Sequence, residues 1–319
     1  RDRFGAAVES ADAVIVGSYV PDGAELLNWV LASARGVRLF YDIDTPVTLE
    51  KLRRDEPTYI GRESIPKLDG YLSFTGGPVL ETIAQIFGAP LVLPLYCSVD
   101  TELYAPVARA PARDLGYLGT YSADRQPALE KLLVQSARAW TSGRFVVAGS
   151  CYPHSDWPPN VERLEHVPPG EHRQFYGSLR FALNLTRADM LKAGFSPSVR
   201  LFEAAACGVP VVSDVWAGMD EFFAPGREIA QVRSSLELLQ VLTRMPEADR
   251  MRMGQRARER VLRQHTAEHR ARQLEHYLAE LRDSKRPSLL SAKRREALRQ
   301  RCVHDNHACL DRPARVNNP

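Results

Sequence analysis

The stretch FSPSVRLFEAAACGVPVVSD, residues 195–214, carries three structural signals in a row. Ser196 is a candidate N-cap and Pro197 suits a first helical position, since proline lacks the N–H that a first turn leaves unpaired. The apolar run that follows predicts a helix to about Ala206, which Gly208 ends. VPVVSD then reads as a buried strand. A helix start presents unpaired N–H groups and a partial positive charge, which makes Ser196, Ser198 and Val199 candidate phosphate ligands. Glu203 lies about two turns further in, roughly 9–10 Å along the axis at 1.5 Å per residue. That spacing matches a phosphate and the ribose of one nucleotide, whose hydroxyls a carboxylate can accept. The alternative is a solvated helix residue behind a routine Ser-Pro cap.

Outward from this block the chain alternates apolar runs with helical patterns. A first series is AVIVGSYV (13–20), VRLFYDID (37–44), GYLSFTG (70–76) and PLVLPLY (90–96), with helical patterns at 22–34 and 77–87. A second is LGYLGTY (115–121), RFVVAGS (144–150), VERLEHV (161–167), RFALNLT (180–186), VPVVSD (209–214) and EIAQVRS (228–234). The runs are continuous rather than alternating, as in parallel strands covered on both faces. The prediction is an α/β protein with two doubly wound, Rossmann-like domains, 1–106 and 115–282, joined by the Ala/Pro/Arg-rich linker 107–114. The helical region 246–282 has a candidate break at His265-Thr266. A basic tail, 283–319, shows no core-forming pattern and is expected to be disordered.

With 319 residues, 44% hydrophobic and 25% charged, the chain is an ordinary globular one. Its net charge of +3 gives no case for nucleic acid, and from Asp283 onward 9 Lys/Arg face 4 Asp/Glu, leaving the body slightly acidic. No run approaches the ~20 apolar residues of a membrane span. Five cysteines in a chain this long, with no dense spacing in the body, suggest reduced thiols and a cytoplasmic protein. The chain opens on Arg1 in a helical pattern that feeds straight into a strand, so the front of the N-terminal domain is expected to be missing.

The 195–214 block, with NLTRADM before it and DEFFAPGREI after it, resembles the sugar-nucleotide half of GT-B glycosyltransferases, and more narrowly the YkvP/CgeB spore-protein glycosyltransferase domain. FYDIDTPVTLEKL, YLSFTGGP and LPLYCSVD resemble the acceptor-side half, so the likeness spans residues 1–280. It implies two domains facing across a cleft, a nucleotide-sugar co-substrate, no further cofactor and an unidentified acceptor. It also implies that Glu203 holds the donor ribose. Many retaining relatives carry a second Glu eight positions earlier, where this chain has Phe195, so the stereochemical outcome does not carry over. EHVPPGEHRQFY falls where such relatives hold the nucleobase, which places His166 and Val167 near the base; His172 reads as a helix-start surface residue.

Other residues fit the same picture. The Gly119-Thr120 turn ends a strand and lets backbone approach a pyrophosphate, with Arg125 as countercharge; an ordinary turn with a surface Arg fits equally. Asn184, Thr186 and Arg187 end another strand at its carboxyl side, where open α/β sheets bind ligands; Arg187 suits a phosphate or a structural ion pair. Asp42 and Asp44 form Asp-x-Asp, two carboxylates on one strand face. They read as an acceptor-side base or hydroxyl ligand, as a metal site, or as turn capping. Two carboxylates alone make a weak magnesium site. SFTGG (73–77) is a close approach or a tight turn. CVHDNHAC (302–309) has zinc-ligand residue types without the usual spacing. Cys97, Cys151 and Cys207 have no ligand spacing. The predicted function is metal-independent glycosyl transfer. The alternatives are a nucleotide-sugar epimerase of related fold and a non-catalytic nucleotide-sugar-binding or spore-surface protein.

Overall fold

The ten apolar runs form ten strands, all parallel, in two sheets. The structure, a computed structural model, describes residues 3–153 and 156–285. Two compact units divide the chain: one comprises Arg1–Tyr96 together with the chain from Glu268 onward, the other Cys97–Ala267.

The first unit holds β1 (Ala13–Gly17), β2 (Val37–Asp42), β3 (Gly70–Ser73) and β4 (Val92–Pro94), in that spatial order. Helices Gly23–Ser33 and Pro78–Ile86 cover one face, where Leu27, Phe40, Tyr71 and Ile83 are buried together. The other face carries Val37, Leu39, Leu72 and Leu93, and the long helix Ala267–Lys285 closes it with Tyr277 and Leu281. The Tyr277 hydroxyl donates to the Pro94 carbonyl at 3.0 Å.

The second unit holds β5 (Arg113–Leu118), β6 (Phe145–Ala148), β7 (Val161–Leu164), β8 (Leu179–Asn184), β9 (Val211–Ser213) and β10 (Ala230–Gln231), ordered β10-β9-β8-β5-β6-β7. Successive strands step outward from β5 in one direction and from β8 in the other, the doubly wound arrangement of a Rossmann sheet. Leu115, Tyr117, Phe145, Phe181 and Leu183 fill its core.

Several boundaries differ from the sequence reading. The helix 267–285 sits in the first unit although its sequence is continuous with the second; an amphipathic stripe does not say which sheet it will cover. The predicted break at 265–266 is where the chain crosses, with helix Glu247–Gln264 on the near side. Residues 97–112 are pinned to the second unit: Arg173 donates to the carbonyls of Ala105 and Pro106, each at 2.9 Å, and Ala112 N–H to Ser178 O at 2.8 Å. The strand after them starts at Arg113, inside the expected linker. Residues 283–285 complete the last helix; the rest of the expected tail, including CVHDNHAC, lies outside the described residues.

Candidate functional site

The strand order makes β5 and β8 neighbours whose connections depart to opposite sides. A crevice opens outside the carboxyl ends of such a pair, because no crossover helix can cover both. The residues after Leu118 and Asn184 therefore occupy the position where open α/β sheets take ligands.

Helix Val199–Ala206 begins beside that crevice, two residues later than predicted. Gly194 (φ +67°) and Phe195 (φ +47°) turn the chain, and Ser196 before proline is held out of the helical region. Ser196 is buried and its hydroxyl donates to Gly194 O at 2.8 Å, so Ser198 is the cap residue instead. Phe195, where many relatives carry a second Glu, packs its ring on Gly218, where a Cβ would come within 2.2 Å of it. The Ser198 hydroxyl does not cap its own helix; it donates to Asn184 Oδ1 at 2.7 Å, leaving the first-turn amides uncapped. Asn184 in turn donates to Ser213 Oγ at 2.9 Å.

Arg200, the second residue of this helix, was not singled out by the sequence reading. Its Nε donates to Leu118 O, its Nη1 reaches Asn184 Oδ1 at 3.4 Å, and its guanidinium lies 5.0 Å from the Tyr117 ring centroid. Among the described residues the Arg200 bonds run from Nε and Nη1 and none from Nη2, and the buried Tyr117 hydroxyl has no partner. A Cβ at Gly119 would meet that hydroxyl at 2.7 Å and Nη2 at 2.8 Å, so a side chain there would displace the ends of Tyr117 and Arg200. The half-buried guanidinium thus spans the ends of β5 and β8 with one amino group unspent. The signal in the sequence was positional: an arginine at the second position of the proposed phosphate-binding helix.

The Gly119 turn is locked from its far side. Gly119 N–H donates to Ala148 O at 2.8 Å, and Gly119 O accepts from Tyr152 at 3.1 Å. Arg163 lies under Tyr152 and Trp157, with centroid distances of 4.3 and 4.8 Å, and donates to Val147 O and Gly149 O. Both polar groups of Gly119 are therefore occupied, whereas the amide of exposed Thr120 makes no hydrogen bond among the described residues. Arg125 donates to Thr120 O at 3.0 Å. On the β8 side, Asp214 accepts from the Thr186 N–H and hydroxyl, both at 2.8 Å, and Arg187 pairs with Asp124 at 3.4 Å.

Glu203 is neither solvated nor free. It is half-buried, and Tyr176 donates to its Oε2 at 2.9 Å. The Tyr104 hydroxyl lies near enough to feel its charge. Burial, reinforced by the Glu203 charge, pushes both phenols far above their ordinary range, so both remain hydroxyls. The same causes push the neighbouring Cys207 thiol up to about 12, which leaves it inert. With the helix starting at Val199, Glu203 stands about 7.5 Å along the axis from the cap residue, less than the expected separation. Val167 is buried, His166 exposed, and His172 is half-buried and bonded through both ring nitrogens rather than a surface residue.

Asp42 and Asp44 belong to the first unit. Asp42 is completely buried and accepts from Tyr71 (2.6 Å), Thr48 (3.1 Å) and the Asp44 N–H (3.0 Å). Burial pushes its carboxyl up to about 6. A group with no exposed surface and three donors holds the βα turn; it is not an open cleft base, and this corrects that reading. Asp44 lies past the end of β2, so the two carboxylates do not share a strand face; its Oδ2 accepts from Tyr19. Among the described residues no three His, Cys, Asp or Glu side chains gather as a metal site.

The comparisons address the fold. The glycosyl transferase-like family model matches residues 125–276. Sucrose-phosphate synthase from Thermosynechococcus elongatus superposes with a TM-score of 0.64 at 14% identity, over 89% of this chain and 77% of that one. Anabaena HepE in complex with UDP-glucose gives 0.67 at 12% identity, over 87% and 81%. The fold is GT-B. TarM from S. aureus is similar at 0.55 and 10% identity, over 76% of this chain and 54% of its own. No curated protein matches by sequence. Fold and family model together support a GT-B glycosyltransferase. Among the described residues no helix is long and apolar enough to cross a membrane.

Proposed function

We propose that this chain transfers a hexose from a nucleotide-sugar to an acceptor, with the donor held on the second unit and no resident metal. The observation that carries the proposal is Arg200, whose unspent Nη2 faces the crevice at the β5/β8 switch point beside the Thr120 amide and the uncapped start of its helix. As the bond from the anomeric carbon to the diphosphate breaks, negative charge accumulates on the departing oxygens. A fixed guanidinium and helix-start amides stabilise that charge without reorganising. Glu203 would accept the ribose hydroxyls on the lone pairs that Tyr176 leaves free. The resemblance of the 195–214 block supports placement in the CgeB-like group, and Cys97, Cys151 and Cys207, which form no disulfide among the described residues, support a reducing, cytoplasmic setting.

HepE was solved with UDP-glucose, so uridine compounds are the first probes. Isothermal titration with UDP, GDP and ADP is expected to show saturable binding of at least one that survives EDTA, and the matching nucleotide-sugar should release its diphosphate faster when an acceptor is supplied. Failure of all three to bind would overturn the proposal. Sugar isomerisation without acceptor would assign the epimerase chemistry, and binding without turnover a non-catalytic role.

A further inference from the structure

A carboxylate is an unfavourable neighbour for a diphosphate, yet Asp214 and Asp124 both stand beside the proposed donor site. Asp214 is buried and tied down: the Thr186 N–H and hydroxyl donate to it, each at 2.8 Å, and the Ser213 hydroxyl at 3.2 Å. Asp124 has a charged partner instead. Its Oδ2 accepts from Arg187 Nε at 3.4 Å and from the Ala188 N–H at 3.2 Å, and Ser122 donates to its Oδ1.

These contacts run from one rim of the crevice to the other. Asp124 belongs to the loop that follows β5, and Arg187 and Ala188 to the loop and helix start that follow β8. A guanidinium anchored on one rim and paired on the other lies across the opening between them. The pair is a loose one, with the Arg187 side chain 33% exposed and that of Asp124 30%. Water screens such a pair, and it is worth about 1 kcal/mol or less. A diphosphate entering the crevice brings more charge and more oxygens to the same guanidinium, in a geometry that its planar fork matches. Asp124 would keep two neutral donors, Ser122 and the Ala188 N–H, when Arg187 leaves it, so its loop stays held.

We propose that Asp124 is a positioning residue that competes with the donor diphosphate for Arg187. In the empty site Arg187 spans the crevice and pairs with Asp124; in the occupied site it turns to the diphosphate. The exchange rests on the donor-site reading above and adds a regulation to it: Asp124 sets how tightly the site holds a nucleoside diphosphate, substrate and product alike.

The test is a double-mutant cycle read by isothermal titration at 0.15 M salt, with whichever of UDP, GDP and ADP binds wild type most tightly. Asp124→Asn removes the charge and keeps an oxygen for the Ala188 N–H. It should tighten the diphosphate about fivefold, because Arg187 no longer has to be drawn from a carboxylate. Arg187→Gln should weaken binding. In that background Asp124→Asn should change the affinity about twofold or less, since only screened repulsion through space remains. A purely structural tie between the rims predicts the opposite sign, a loss of affinity in Asp124→Asn. Unchanged or weaker binding in Asp124→Asn, or a gain no larger than in the Arg187→Gln background, overturns the proposal and leaves the donor site standing. No binding of any of the three diphosphates to wild type overturns the donor site as well.

Discussion

Two βα turns stand at the carboxyl ends of parallel strands, one in each unit, and they use polar residues in opposite ways. After β2, Asp42 is saturated: three donors meet one carboxylate, and nothing reaches solvent. Beside β5 and β8, Arg200 keeps an amino group, Thr120 an amide and Ser198 turns its hydroxyl away from the helix it should cap. Buried polar groups must be paired, so a saturated cluster is explained by the fold alone. Donors left over at a switch point, on half-buried Arg200 and exposed Thr120, are open to water or to a ligand. The contrast separates a structural carboxylate from a binding guanidinium, although in sequence the Asp-x-Asp looked the more chemical of the two.

The largest expected effect breaks the comparison on the donor side. Arg200→Met keeps the aliphatic stem and removes the charge. Charge-assisted bonds to a phosphate are worth about 1.5–3 kcal/mol each, so nucleoside diphosphate affinity should fall about 100-fold, with the circular dichroism spectrum unchanged. A loss below about threefold would show that Arg200 only ties Leu118 to Asn184.

A smaller effect sharpens the donor side. Glu203→Gln retains an acceptor for Tyr176, whereas Ala would orphan that buried hydroxyl. Binding of the ribonucleotide should weaken about tenfold, near 1.4 kcal/mol, and the dideoxy analogue should lose less than about twofold. Equal losses would place Glu203 away from ribose and leave it as a partner for Tyr176.

What the sequence made legible follows from local physics. All ten strands were readable because buried parallel strands are continuous apolar runs, and Gly208 marked the end of helix 199–206 because that end needs a left-handed residue, here at φ +72°. Arg200 was passed over because an arginine on a helix is ordinarily solvated; only the strand order reveals that this one lies across two strand ends. Tyr104 was assigned with the N-terminal domain, but it lies in the second unit, where its hydroxyl meets His172, 68 residues on. Asp42 and Asp44 were paired because the strand was assumed to continue, and where a strand yields to a helix is set by tertiary bonds such as Tyr71 to Asp42.

The smallest effect tests the structural side of the comparison. Asp42 titrates near 6 in the folded chain, against 3.8 for the ordinary carboxyl, chiefly because burial penalises its charge. A raised folded-state value means that the folded form binds the proton more tightly than the unfolded one. This group therefore adds stability as pH falls through 6, and the gain is complete below about 3.8; at neutral pH it is absent. Between pH 7 and pH 5 the increment amounts to about 1 kcal/mol, one unit of titration being about 1.4 kcal/mol. Asp42→Asn cannot titrate, so it should lack the increment. Native-state hydrogen exchange at the β2 and β3 amides, compared between the two proteins at each pH, isolates it, because intrinsic exchange rates cancel. Protection of wild type relative to variant should rise about fivefold on going from pH 7 to pH 5. If the two proteins instead keep a constant ratio while nucleotide-sugar turnover is lost in Asp42→Asn, the carboxylate is chemical after all, and saturation of hydrogen bonds would not distinguish a turn from a site.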